Sequence, residues 1–367
     1  PLPASYSSAL DANIVFPDDS KYNYRSKLLL SVHMYSPYNF ALNGDMAYTL
    51  FIDAYREELY DEFTTLYKKY VSKGHNVVIG EMGTVNKNNT NERIEWAKYF
   101  VRKARKFHMT PVLWDNNAYD NSKGANEIFG HFHRDTLEWE INELMDTYIS
   151  TGNTEFEYID LDDLYAINPQ RTYNREGLVR DTKDVDFDDS IRADQVVEAM
   201  KMGWNLGNTF DAFDDSKLPN QGLESETCWG NPKATEAMIE FIASSGFKSI
   251  RIPVTWHNHL IDENYTIDPQ WMKRVKEVVD WGIKYGLFII LNTHHDIYTK
   301  FDQPLTYGRG YYPLRRDMKE SEKFIYNVWK QITEAFNNGY DHRLIFEGLN
   351  EPRLVGTEFE WWYKVGD

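Results

Sequence analysis

The chain has 367 residues, 42% of them hydrophobic and 26% charged, which is the balance of a water-exposed globular fold and allows one large domain or two ordinary ones. Acidic residues outnumber basic ones 57 to 40, and the resulting formal charge of -17 repels phosphate backbones and argues against a nucleic-acid partner. No apolar run approaches the roughly 20 residues that cross a bilayer, so no membrane partner is expected, and the single cysteine, Cys228, excludes an intrachain disulfide framework. Aromatic residues make up 15% of the chain, with 11 Trp and 25 Tyr. Such content serves core packing and equally suits the flat CH-rich faces of sugars, and composition does not separate the two.

Short continuous apolar runs predict buried parallel strands at Lys27–Tyr35, Asn76–Glu81 and Thr110–Trp114. Helical periodicity predicts helices over Ala54–Lys73, closed by Gly74, then Thr90–Phe107 and Asp135–Ser150. The rhythm repeats later in the chain. Strands are expected at Met202–Leu206, Lys248–Val254, Leu287–Leu291 and Leu344–Leu349. Helices are expected at Ala234–Ser245, at Pro269–Tyr285 with Asp268 as its N-cap, and at Ser321–Asn337. Strand and helix in alternation imply right-handed βα units around a parallel sheet. Seven such strands are one short of a closed (β/α)8 barrel.

Between the two runs lies Asn153–Asp189, which carries Asp160-Leu161-Asp162-Asp163 and Asp184-Val185-Asp186-Phe187-Asp188-Asp189 and no sustained apolar period. Its composition is that of a linker, dividing the chain into 1–152, 153–189 and 190–367. An ordered surface excursion within one domain is the alternative.

Chemistry in such barrels sits where strands end and βα loops begin. The expected strand ends carry His33 and Tyr35, Glu81, Trp114, Asn208 with Asp211, Arg251, His294-His295, and Asn350-Glu351. Two of these are glutamates after buried apolar strands. Hydrolysis of a glycosidic bond requires such a carboxyl pair, one to donate a proton and one to attack the anomeric carbon or activate water. The adjacent His294 and His295 raise a metal reading, but no His-x-His, bridging Lys or convergent Asp set accompanies them in the sequence, so no metal and no cofactor is expected.

Seven motifs carry a family resemblance. Gly203-Trp204-Asn205-Leu206-Gly207-Asn208-Thr209, Ile250-Arg251-Ile252-Pro253-Val254-Thr255-Trp256 and Asn292-Thr293-His294-His295-Asp296 resemble the opening strands of glycoside hydrolase family 5, and Phe346-Glu347-Gly348-Leu349-Asn350-Glu351-Pro352 resembles its fourth. Val32-His33-Met34-Tyr35-Ser36-Pro37, Val78-Ile79-Gly80-Glu81-Met82-Gly83 and Val112-Leu113-Trp114-Asp115-Asn116 resemble its later strands. Within the family the chain is most similar to bacterial endo-β-1,4-glucanases that also act on xyloglucan and mixed-linkage β-glucan. The resemblance implies Glu351 as general acid/base and Glu81 as nucleophile of a retaining, endo-acting reaction on a β-glucan polysaccharide. It implies that Asn350 holds the 2-hydroxyl of the reacting sugar and that His33, His294 and His295 orient these groups or bind neighbouring hydroxyls. Trp114 would form the floor, with Trp256 and Tyr35 also at the rim, and Asn208 and Asp211 would contact sugar on the non-reducing side. Arg251 and Tyr35 are expected among the substrate-binding residues, and beside Glu81 they would favour its ionised form. Mannan or xylan as substrate, and a sugar-binding but catalytically impaired fragment, are the alternatives. A polymer substrate implies an extracellular setting.

The motif order is rotated: the family's strands six to eight come first and strands one to four follow. Helix four and strand five are missing from the pattern, and Pro1-Leu2-Pro3-Ala4-Ser5 looks like the loop after strand five. The expected fold is therefore a (β/α)8 barrel in circularly permuted order with one βα unit lacking. With neither an initiator Met nor a signal segment, such an order fits a piece of a longer polypeptide with a second catalytic domain, or a circular permutant. Either would leave two unpaired edges in the barrel wall.

Overall fold

In the computed structural model, which describes residues 27–120, 127–157, 191–297, 305, 307–336 and 338–352, the seven expected strands all form and stand side by side in one parallel sheet. They are β1 (Leu29–His33), β2 (Asn76–Met82) and β3 (Met109–Leu113), then, after a small hairpin of β4 (Phe132–His133) and β5 (Glu138–Trp139), β6 (Gly203–Asn205), β7 (Ser249–Ile252), β8 (Phe288–Asn292) and β9 (Leu344–Glu347). The order β1-β2-β3-β6-β7-β8-β9 joins the two runs of the sequence through the pairing of Val112 with Gly203 and Leu113 with Trp204. The strands curl into a nearly closed barrel of the (β/α)8 type. β1 and β9 are its two edges among the described residues, and the Ser31 hydroxyl on β1 donates to Glu347 Oε1 on β9 at 2.6 Å across the interior.

The helices are α1 (Tyr38–Ala41), α2 (Asp53–Lys69), α3 (Thr90–Lys106), α4 (Asn142–Gly152), α5 (Ala193–Ala199), α6 (Glu236–Ser244), α7 (Pro269–Lys284) and α8 (Met318–Phe336). α7 begins as its sequence requires, with the Asp268 carboxylate accepting from Gln270 N at 2.8 Å and Pro269 in the first turn. None of the described helices is long and apolar enough to cross a membrane.

Three expectations change. The helix Ala54–Lys73 ends at Lys69, and a 3-10 turn, Val71–Lys73, carries the chain to Gly74 at φ 93°. The helix Asp135–Ser150 begins only at Asn142, because Arg134 is drawn inward to Asp115 and Thr209 and Leu137 turns back at φ 58°, leaving a hairpin where a first turn was expected. α5 was not expected at all. Its seven residues are too few to show a period, yet Val196, Val197 and Met200 plug the bottom of the barrel against Val78, Val112 and Ile290. The last position of the helix Ser321–Asn337, and most of the acidic stretch, 158–190, lie outside the described residues, as do Pro1–Ser5. The first residues of the stretch, 153–157, pack onto the barrel: Phe156 stacks on His108 at 4.7 Å and lies under Arg105 at 4.1 Å.

Above the apolar plug the interior turns polar, with Ser31, Asn205, Arg251, Asn292 and Glu347 pointing inward. A Cβ on Gly80 would lie 2.7 Å from Ser31 Oγ, so only glycine fits beside that hydroxyl. Outside the barrel, Glu62 of α2 accepts from Ser36 Oγ at 2.9 Å while its Oε2 is buried without a donor. Burial raises its pKa to about 8 against the lowering effect of Ser36. Between its ordinary value near 4.5 and about 8 the unfolded chain releases this proton and the folded chain keeps it, so stability falls as pH rises through that window. Glu62→Gln is expected to raise the melting temperature at pH 9 and to change it little at pH 4; equal shifts at both would contradict this.

Candidate active site

Glu81 leaves β2 through an irregularity. The register shifts between Val32 and His33 on β1 and between Ile79 and Met82 on β2, and Glu81 pairs with His33. Such local slips re-aim a side chain at the end of a strand. Here the carboxylate is turned onto the barrel axis, where Arg251 Nη1 donates to Oε1 at 2.7 Å and Tyr35 Oη donates to Oε2 at 2.9 Å. Burial, followed by the Glu81 charge, raises the Tyr35 pKa well above its usual 10.0, so the phenol remains a donor.

Arg251 is fully buried and its guanidinium is committed to acceptors on four sides. Nε donates to Glu347 Oε2 at 2.7 Å, Nη1 to Glu81 and to Asn205 Oδ1 at 3.0 Å, and Nη2 to Asn350 Oδ1 at 2.8 Å. Burial opposes its charge, and Glu347 and Glu81 more than restore it, so its pKa is raised. With four of its five N–H groups so engaged, Arg251 positions Glu81, Glu347 and Asn350. Glu347 accepts also from Ser31 and from Asn292 Nδ2 at 3.0 Å. Burial pushes its pKa up, but Arg251, then His33, and the Ser31 hydroxyl bring it down to about 2. A carboxyl with a depressed pKa contributes stability above its ordinary value near 4.5 and loses it as pH falls toward 2. Glu347→Gln is therefore expected to flatten the acid limb of stability between about pH 4.5 and 2, measured by urea unfolding at each pH; an unchanged slope would contradict this assignment.

Glu351 comes from the other end of the chain. It follows β9 and Asn350, whose N donates to Thr293 O at 2.8 Å, and it takes φ 39° immediately before Pro352. A non-glycine residue held at positive φ costs energy and persists only where its surroundings fix it. His33 Nδ1 lies 2.8 Å from Glu351 Oε1 and 3.4 Å from Glu81 Oε2, and one ligand atom from each of the three residues lies within 4.8 Å of the others. Two carboxyl groups some 270 residues apart in sequence thus share one imidazole.

On the other side of the cleft, Trp114 stacks parallel to His294 with centroids 5.9 Å apart, and a Cβ on Gly207 would lie 2.8 Å from the indole. Asp211 is fully buried; Oδ1 accepts from Thr209 N at 2.8 Å, while Oδ2 lacks a hydrogen-bond donor and lies 3.9 Å from His294 Nε2 and 3.7 Å from His295 Nε2. Asn208 takes φ 55°, and its carbonyl accepts from Asn231 Nδ2 at 2.7 Å. Asp211 therefore does converge on the paired histidines, contrary to the expectation from spacing. The donor set still does not suit a metal. Asn292 Oδ1 accepts from Val254 N at 3.0 Å, which fixes its amide so that Nδ2 donates to His294 Nδ1 at 3.1 Å. Asn350, its Oδ1 taken by Arg251, likewise turns Nδ2 toward His294 Nε2 at 3.5 Å, so an amide donor faces each ring nitrogen and disfavours a cation there. Burial, then His295, keeps His294 neutral, with its pKa well below 6.5.

Some residues of the site escaped sequence reasoning. Glu347, Asn205 and Asn292 hold Arg251 and its neighbours, and the signal was there: a polar side chain at an inward position of a strand otherwise apolar. Asp115, next to Trp114, is fully buried, lies 3.5 Å from Arg134, and accepts from Trp204 Nε1 at 3.2 Å, tying β3 to β6. Phe213 and Trp229 stand half-buried beside His295, at 6.1 and 5.6 Å. Trp256 is a correction. It is fully buried, its Nε1 donating to Asn292 O at 2.9 Å, because its backbone is pulled in by Asp296.

Residues 3–120 and 213–367 match the model of the family described as Cellulase (glycosyl hydrolase family 5). Endoglucanase B of Ruminococcus albus is 45% identical over 171 residues, 46% of this chain and 37% of that protein. Endoglucanase A of Clostridium longisporum is 45% identical over 170 residues, 46% of this chain and 30% of that protein. A solved GH5-4 broad specificity endoglucanase from Ruminococcus champanellensis with bound cellotriose is 40% identical over 46% of each chain, with a TM-score of 0.41. The chain spans less than half the length of these relatives. Because the family match runs through more than half of the chain, on both sides of the acidic stretch, this chain belongs to glycosyl hydrolase family 5, the cellulase family.

Proposed function

We propose that the chain hydrolyses internal β-1,4-glucosidic bonds of cellulose-type glucan, mixed-linkage β-glucan or xyloglucan with retention of configuration. The observation that carries this reading is the meeting of Glu81 and Glu351 on His33 Nδ1, within 4.8 Å. Retaining enzymes hold their carboxyl groups about 5–5.5 Å apart, whereas inverting ones leave about 6.5–9.5 Å for a water. Glu351, partly open to solvent, gives a proton to the glycosidic oxygen as that bond breaks. Glu81, held on both oxygens by Arg251 and Tyr35, attacks the anomeric carbon and forms the glycosyl-enzyme. Glu351, now ionised, takes a proton from the water that releases the sugar. Asn350, oriented by Arg251, faces the 2-hydroxyl, and Trp114 lies under the ring. His294, His295, Asn208 and Asp211 bind hydroxyls on the non-reducing side. The two similar endoglucanases support the β-1,4-glucan specificity. A polymer of this size favours an extracellular setting. We read 1–152 and 190–367 as two half-barrels joined by 153–189, a division supported by the two separate segments of the family match.

Reducing-sugar release from barley β-glucan, with the anomer of the first product read by proton NMR, tests the reaction. The expected first product is the β-anomer; an initial α-anomer would overturn retention. One observation favours a second reading. The open seam lies between β1 and β9, the strands that lead to His33 and Glu351. A chain that binds cello-oligosaccharides without cleaving them would establish that impaired form instead.

A further inference from the structure

Outside the barrel, between α3 and α4, lies a group of buried donors that the hydrolytic site does not use. Arg93 of α3 is 1% exposed. Its Nε donates to Thr84 Oγ1 at 3.2 Å, but Nη1 and Nη2 are buried and find no acceptor among the described residues. Tyr148 of α4 is fully buried, its hydroxyl beside Thr84 but without a close acceptor among the described residues, and His131, just before β4, is buried with no partner there for Nε2. The His131 and Tyr148 rings meet edge to face at 6.2 Å.

Among the described residues these groups have no carboxylate bonded to them. A guanidinium does not give up its proton in a protein, and a buried cation without a partner is strongly destabilising. Burial works against the charge on Arg93, and among the described residues Tyr148 and Glu140 act to favour it. Glu140 is half-exposed and already bonded to His133 Nε2 at 2.5 Å. Asp115, which accepts from the His131 backbone at 3.3 Å, is matched by Arg134. His131 adds no charge, since burial, then Arg93, drives its pKa well below 6.5. Buried polar groups in native proteins are satisfied by protein, water or an ion. Water would satisfy the hydrogen bonds and leave the charge.

We propose that Arg93 Nη1 and Nη2, Tyr148 Oη and His131 Nε2 enclose a small monovalent anion of the chloride class. All four atoms are able to donate, the three residues come from α3, α4 and the segment just before β4, and a small spherical acceptor serves several donors without demanding a plane. The anion would brace α3 and α4 against the loop after β2, three residues beyond Glu81.

Two measurements test this. Crystals of the chain grown with bromide in place of chloride should show an anomalous peak between Arg93, Tyr148 and His131; absence of a peak there would overturn the proposal. Thermal unfolding at constant ionic strength, with gluconate exchanged for chloride up to about 0.2 M, should raise Tm by about 2–4 °C. That rise should be lost in Arg93→Met and reduced in Tyr148→Phe. Tyr148→Phe removes only a hydroxyl and carries the test if Arg93→Met fails to fold. An equal Tm in both salts, or a chloride effect undiminished in the variants, would overturn it.

Discussion

Glu81→Ala is expected to lower kcat on barley β-glucan by at least about 10^4-fold, as loss of a covalent nucleophile does in other hydrolases. The protein should still fold, because the cavity left by the carboxylate opens onto the cleft and Arg251 keeps Glu347, Asn205 and Asn350 as acceptors. Binding of cello-oligosaccharide should survive, since Trp114, His294 and Asp211 are untouched. The missing nucleophile also predicts chemical rescue. Azide admitted to the vacated space should attack the anomeric carbon directly, giving a glycosyl azide of inverted, α configuration from an activated aryl β-cellobioside. Rescue at Glu81→Ala with an α product identifies the nucleophile. A residual rate above about one tenth of wild type would mean that Glu81 is a bystander.

Arg251→Met should be the most damaging single change to stability. The guanidinium stands between two buried carboxylates, Glu81 and Glu347, each 6% exposed. Removing one partner of a buried pair costs about 3–5 kcal/mol, because the charges left behind are neither hydrated nor matched. Part of that loss is relieved when Glu347→Gln is added, which removes one stranded charge; activity is not, because Glu81 and Asn350 remain unheld. Stability and activity thus separate in the double variant. Urea unfolding and the β-glucan assay, run on the single and double variants, check this. Full recovery of activity in the double variant, or a loss below about 1 kcal/mol in the single one, would contradict a central role for Arg251.

The barrel was largely legible because parallel strands covered on both faces are short and wholly apolar, and because the polar residues at their ends interrupt that pattern. Every strand expected from the sequence formed within a few residues. What escaped was set by contacts distant in sequence. The hairpin at Phe132–Trp139 exists because Arg134 reaches Asp115 and Thr209, partners that a local period does not reveal. α5 is defined by what it plugs, and its own length is too short to announce it. In the site, Glu81, Glu351 and Arg251 were evident as charges at strand ends, yet the committed state of Arg251 depends on Glu347 and Asn205, which sit inside strands. Trp256 shows the reverse error. Proximity to a rim motif suggested a sugar-facing ring, and two hydrogen-bonded backbone amides at Asp296 turn it into the core.

The central claim is that the two runs of the chain close on each other so that Glu81 and Glu351 of one molecule serve one active site. Mixing the Glu81→Ala and Glu351→Ala proteins in equal amounts and assaying barley β-glucan tests this most directly. The account predicts activity for the unmodified chain and none for either variant or for the mixture. Activity restored by mixing, which needs catalytic pairs formed between molecules, would contradict it.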